Sequence, residues 1–213
     1  MHRFTYFVKE FSNDVRAVEA QFMVGQCLLD KGEYKEAARA FRKALGRSGR
    51  DYELFINSTY RLGECEFNSG NYLNAIDHFQ EVKKGKNSNL RAEAIYGIAL
   101  SYLAIAEGEK AKNCLQELLL FYPGYNREPS VLIPLGLILL EQGDARGALE
   151  HFRKVKDDTG CIYYSGVAFK ELNKVMMATT LFKDILKKDS VGQWADKAQY
   201  QIGESFFQSK QYP

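Results

Sequence analysis

The chain has 213 residues, 46% hydrophobic and 26% charged, with a formal net charge of +2. These are ordinary figures for a folded chain of one or two compact domains. They give no reason to expect the concentrated basic charge by which nucleic acid or an anionic membrane is bound. The longest apolar run, VLIPLGLILL at 131–140, is half the ~20 residues a bilayer requires, so no direct membrane insertion is expected. MHRFTYFVKEF carries charges where a signal peptide needs an apolar core, an absence of little weight if the chain is an excerpt.

In chain order, Phe4 and Phe7 open the chain, and a helical pair follows. AQFMVGQCLLDKGEYKEAARAFRKAL (20–45) and STYRLGECEFNSGNYLNAIDHFQEV (58–82) share a skeleton of Gly, Gly, aromatic, Ala and Phe. Its positions are Gly25, Gly32, Tyr34, Ala37 and Phe41, then Gly63, Gly70, Tyr72, Ala75 and Phe79. A divergent copy holds Ala99, Ala111 and Leu115, a clearer one Gly136, Gly143, Ala148 and Phe152, and a weaker one Gly166, Asn173, Ala178 and Phe182. Gly203 begins another.

Each element of the skeleton has a physical reason. A small residue in the first helix lets the second approach closely. The second Gly suits the left-handed residue that ends a helix, and Asn173 is the next-best choice. The Ala and Phe series recurs at helical spacing, so one stripe of the second helix faces the first. Self-similarity at this period is the signature of stacked helix pairs sharing one continuous core.

The pattern resembles the tetratricopeptide repeat (TPR) family over essentially the whole chain. The resemblance implies an all-α fold, a right-handed α-α superhelix of about 12 antiparallel helices. A single solenoid is expected over 1–213: 1–12 as the second helix of a preceding repeat, repeats at 18–51, 56–89, 92–125, 129–158 and 159–192, and 196–213 as the first helix of a further one. The chain is therefore expected to be a fragment, because ADKAQYQIGESFFQSKQYP has the apolar face of an internal repeat rather than of a polar cap. Spacings of 36–38 residues (Gly25 to Gly63, Gly63 to Ala99, Ala99 to Gly136) are similar to those of bacterial cell-envelope members of the Tol-Pal-associated and outer-membrane-assembly types. That points to a bacterial periplasm or cell envelope, whereas four apparently unpaired cysteines point to the cytoplasm.

Two places are irregular. Pro129 and Pro134 bracket the expected start of one helix: a proline in a helix interior costs ~3 kcal/mol, so the helix is expected to begin near Pro134 or to be distorted there. Gly136 to Gly166 is only 30 residues, and KDDTG (156–160) leaves little room as a connector. Drift and a functional bend both remain open; curvature is expected either way.

Candidate chemistry is sparse. His78 and His151 occupy one register two repeats apart, roughly 20 Å if helices pack at 8–10 Å, and so cannot share a metal; a surface role is expected. Cys27 and Cys65 are equivalent in adjacent repeats, beyond the ~7 Å limit for a disulfide. Cys114 and Cys161 have no evident partner, and no CxxC is present. Phosphate-loop, dinucleotide and nucleophile-elbow motifs are absent. GRSGR (46–50) and KKGK (83–86) read as helix ends complementing the dipole. The Asn57-Ser58-Thr59 sequon falls on a helix and is discounted. No enzyme, no cofactor and no metal are expected.

By resemblance to the family, first helices line a concave groove that receives an extended peptide or partner helix. The residues placed there are Phe22, Gln26, Asn57, Tyr60, Glu64, Phe67, Tyr96, Leu100, Ile133, Leu137, Tyr163, Val167, Lys170, Tyr200, Glu204 and Phe207, with Leu29, Glu93 and Leu103 beside them. Aromatic residues with a polar tip are common in binding hot spots, although the same column could pack between first helices. The carboxylate clamp of chaperone-binding members is not matched: its positions hold Phe22, Gln26, Arg61, Glu93 and Gly97. The expectation is a non-catalytic scaffold for protein or peptide partners and not nucleic acid. The alternatives are a regulatory or targeting arm of an enzyme, or a homo-oligomer stacking through open solenoid ends.

Overall fold

The computed structural model describes residues 1–49, 51–86, 88–188 and 190–208. They form twelve α-helices: α1 (His2–Glu10), α2 (Arg16–Leu29), α3 (Tyr34–Leu45), α4 (Tyr52–Asn68), α5 (Tyr72–Lys83), α6 (Ser88–Ala104), α7 (Gly108–Phe121), α8 (Pro129–Glu141), α9 (Ala145–Phe152), α10 (Thr159–Glu171), α11 (Val175–Lys188) and α12 (Gln193–Gln208), with a 3₁₀ turn at Pro123–Arg127. Even-numbered helices are first helices and odd-numbered ones second. There are two compact units, Met1–Leu118 and Leu119–Pro213.

Every first helix that is followed by a second one ends in the same way. The N–H of a residue three or four places past the helix end reaches back to a carbonyl of the last turn: Glu33 to Leu28, Asn71 to Glu66, Glu107 to Tyr102, Asp144 to Leu139 and Lys174 to Phe169, all at 2.8–2.9 Å. The residue just before it must be left-handed. Gly32, Gly70, Gly143 and Asn173 take φ of 77°, 80°, 80° and 58°, as expected. In the divergent repeat this place falls to Ala106 at φ 60°, a conformation costing an L-residue roughly 1–2 kcal/mol.

The first-helix glycines fit beneath the phenylalanines of their second helices. A Cβ on Gly25 would lie 2.7 Å from the Phe41 ring, on Gly63 2.6 Å from Phe79, and on Gly136 and Gly166 2.5 Å from Phe152 and Phe182. Phe41, Phe152 and Phe182 are fully buried. Phe79 serves two first helices, because a Cβ on Gly97 of α6 would lie 2.7 Å from the same ring. In the divergent pair the volumes are exchanged: Ala99 and Leu115 are both fully buried.

Two expectations are corrected. Helix α8 begins at Pro129 and carries Pro134 inside it. Pro129 sits at the first helical turn, where a missing N–H costs nothing, and the carbonyl that Pro134 cannot satisfy belongs to exposed Ser130. The 30-residue spacing is short in two helices rather than in the connector: α9 is about one turn short, and Gly166 is the eighth residue of α10 where Gly63 is the twelfth of α4. Helix α9 has 8 residues against 12 in α3 and α5 and 14 in α7 and α11. The connector, 153–158, is as long as the one at 46–51. Thr159 and Gly160 of the expected connector already belong to α10, which Asp158 caps by accepting from the Cys161 N–H at 2.6 Å.

Candidate functional site

In the first unit, the predicted residues lie on α2 (Phe22, Gln26), α4 (Asn57, Tyr60, Glu64, Phe67) and α6 (Tyr96, Leu100), and every one is half-buried. The inner edges of the rings are held by the second helices. Phe22 meets Phe41 edge-on at 5.3 Å between centroids, Tyr60 meets Phe79 at 5.6 Å, and Phe67 meets Tyr72 at 5.5 Å. Part of each ring therefore packs and part faces solvent. Arg61 lies over the Tyr60 ring at 5.7 Å and pairs with Glu64 at 2.7 Å. Burial, then the Glu64 and Glu93 carboxylates, push the Tyr60 phenol well above its ordinary range, so it stays neutral and able to donate. Gln26 donates to Asp30 at 3.1 Å.

In the second unit, Ile133 and Leu137 of α8 are half-buried, as are Tyr163, Val167 and Lys170 of α10. Tyr163 belongs to an aromatic cluster: it lies 5.4 Å from Tyr164, 5.7 Å from Phe182 and 5.3 Å from Trp194. Tyr164 and Trp194 were not singled out from the sequence, although the adjacent tyrosines and the single tryptophan were visible there. The Lys170 ammonium donates to Gln201 at 2.5 Å and pairs with Glu204 at 2.6 Å, tying α10 to α12. On α12, Glu204 is half-buried, whereas Tyr200 and Phe207 are 68% and 67% exposed.

Among the described residues no three His, Cys, Asp or Glu side chains cluster as a metal site. All four cysteines are free, with Cys65 and Cys161 buried. Burial pushes both thiols up to about 12, which leaves them unreactive. His78 and His151 are half-buried rather than surface residues. Ser58 and Thr59 of the sequon are buried in α4. Of the basic helix ends, Arg47 donates to the Ser12 carbonyl and Lys83 pairs with Glu117; Arg50 lies outside the described residues. At the clamp positions, Arg61 is paired and Gly97 is fixed by Phe79. No helix among the described residues is long and apolar enough to cross a membrane.

These helix pairs define an all-α tetratricopeptide-repeat solenoid fold, and comparison with known proteins agrees. Two segments, residues 2–52 and 93–125, match family models described as tetratricopeptide repeat. No curated protein matches the sequence. Among solved structures, a tetratricopeptide repeat protein from Parabacteroides merdae is similar with a TM-score of 0.75 at 17% identity, over 92% of this chain and 75% of that one. YrrB, described as a TPR protein with an unusual peptide-binding site, gives 0.72 at 17% identity over 92% and 97%. MamA from Desulfovibrio magneticus gives 0.67 at 18% identity over 83% and 97%. At these identities the likeness is one of fold.

Proposed function

We propose that this chain is a non-catalytic scaffold whose first helices bind a peptide segment or partner helix. The observation that carries the reading is the state of the first-helix side chains. On α2, α4 and α6 the column Phe22, Tyr60, Tyr96 and its neighbours is neither buried nor free. Rings fixed on one edge and open on the other lose little conformational freedom on binding, the property that favours Tyr and Trp in hot spots. The description of YrrB as peptide-binding supports this use of the fold. The narrower cell-envelope resemblance rests on spacing alone, and the structures above lend it no support.

The test is site-specific photo-crosslinking in the source cell. A benzophenone amino acid replaces Tyr96 on α6 or, as a control, exposed Gln116 on the second helix α7. A discrete partner segment is expected from position 96 and absent from 116. Crosslinking from 116 alone would put the interaction on the second helices and end the reading.

A further inference from the structure

The column of the first unit carries charge as well as rings. On each of its helices the ring shares a stripe with two residues, one three places before it and one four places after. These are Glu19 and Gln26 on α2, Asn57 and Glu64 on α4, and Glu93 and Leu100 on α6. Glu53 extends the α4 stripe by one turn. Glu19, Glu53 and Glu93 are exposed and Glu64 is half-buried, so four carboxylates flank the rings of Phe22, Tyr60 and Tyr96.

Fewer cations face them. Of the three arginines on these helices, Arg16 pairs with Asp14 at 2.7 Å, and Arg91 lies on the face of α6 that bears the buried Ile95 and Ile98. Arg61 alone of the three joins the column, where it pairs with Glu64 and lies over the Tyr60 ring. The connectors that follow these helices add Asp30, Glu33 and Glu107 against Lys31. In the connectors that precede α4 and α6, Arg47 donates to the Ser12 carbonyl and Lys84 pairs with Glu81, which leaves Lys86 among the described residues. Burial first, and then the Glu64 and Glu93 carboxylates, raise the Tyr60 phenol, so both α4 and α6 bring negative charge to this ring. The second unit has no such surplus. Its stripes hold Ser130 and Leu137, Gly160 and Val167, and Lys197 and Glu204, and that one carboxylate is paired with Lys170.

We propose that the segment bound by the first unit is basic, with an arginine or lysine side chain laid against the Tyr60 and Tyr96 rings and paired with Glu93, and a second cation paired with Glu19. This rests on the reading of the column as a binding face, and gives its partner a charge. Arg61 displays the mode within the chain: a guanidinium over the Tyr60 ring with a carboxylate as counter-ion. A cation placed in this way gains from the ring and from the carboxylate together. Glu19 and Glu93 hold one register on α2 and α6, roughly 20 Å apart if neighbouring first helices lie about 10 Å from each other. An extended segment spans that distance in about six residues, and side chains six places apart point the same way. Two basic residues at that spacing would meet both carboxylates.

The test is methyl NMR on the 213-residue chain, titrated with the peptides acetyl-X-Ala-Leu-Ala-Leu-Ala-X-amide in which X is arginine, glutamine or glutamate. The Leu100 methyls are expected to shift saturably with the arginine peptide, about tenfold more weakly with the glutamine peptide, and not with the glutamate one. Raising the salt from 50 to 500 mM should weaken the arginine peptide alone. Glu93→Gln is expected to weaken the arginine peptide about threefold and leave the glutamine peptide unchanged. Glu93→Lys should bring the affinities of the arginine and glutamate peptides together from both sides. Equal binding of all three peptides at Leu100 would overturn the basic partner and leave the column standing as a binding face. Shifts confined to Leu137 and Val167 would do the same, since their helices lack the carboxylates. If Leu100, Leu137 and Val167 stay still with every peptide, both readings fall.

Discussion

The helix pairs α4–α5 and α6–α7 solve one packing problem in two ways. In α4–α5 a glycine lies under a phenylalanine, and left-handed Gly70 ends the first helix. In α6–α7 Ala99 and Leu115 hold the corresponding registers, both fully buried, and Ala106 ends the helix at φ 60°. The core tolerates the exchange because volume is conserved: a small side chain is gained where a ring is lost. The turn has no such compensation, because the strain of a Cβ at positive φ depends on local geometry alone. A repeat can thus drift in its core at low cost and in its turn only at a fixed penalty.

The largest effects should come from breaking the two cores. Phe79→Ala is expected to cost about 4 kcal/mol and Leu115→Ala about 3, within the ranges for buried aromatic and leucine truncation. Urea unfolding followed by circular dichroism measures both. Phe79 should be the costlier because it seats against both Gly63 and Gly97; equal losses would show that the shared contact adds nothing.

The polar link between α3 and the second pair comes next. Glu66 is 5% exposed, and its carboxylate pairs with Arg42 and accepts from Asn71 at 2.8 Å. Arg42→Met would strand a buried carboxylate. Because Arg42 is itself 53% exposed, solvent screens the pair, and a loss of about 2 kcal/mol is expected rather than the 3–5 of a fully buried bridge. No counterpart exists at α6, where Tyr102 precedes Leu103 in place of a carboxylate.

The turn sharpens the comparison with the opposite sign. Ala106→Gly should stabilise the chain by about 1 kcal/mol, since glycine enters the left-handed region without the Cβ penalty. Asn173→Gly should gain less, because asparagine already tolerates that region. A destabilised Ala106→Gly protein in the same urea assay would contradict the account of strain given above.

What was legible in the residues follows the same division. Gly32, Gly70, Gly143 and Asn173 stood where helices end, and the Gly–Phe spacing named the pairs that touch, because both signals are local and repeat in phase. The position of Ala106 could be had only by counting from Ala99, since alanine carries no turn signal of its own. The end of α9 was misplaced because the 30-residue spacing records a deletion without saying whether helix or connector lost it. The half-exposed state of the column was not legible at all: it depends on how far each ring seats against the next helix, a tertiary quantity.

The smallest expected effect sets the two units side by side. His78 and His151 share a register on α5 and α9, and burial lowers the pKa of both imidazoles below 6.5. Their charged neighbours act in opposite directions: the Glu66 carboxylate pulls His78 back up, whereas Lys154 pushes His151 further down, and the His151 Nδ1 is buried without a partner among the described residues. Below 6.5 the unfolded chain takes up protons that the folded chain does not, so their contribution to stability is complete above that pH. It is lost as pH falls from 6.5 through the lower folded values. Comparing urea midpoints at pH 7.5 and 5.5 should therefore show a smaller drop in His151→Gln than in the wild type, with His78→Gln between them. Identical drops in all three would mean that neither imidazole is desolvated enough to matter, and that the acid sensitivity belongs to the carboxylates.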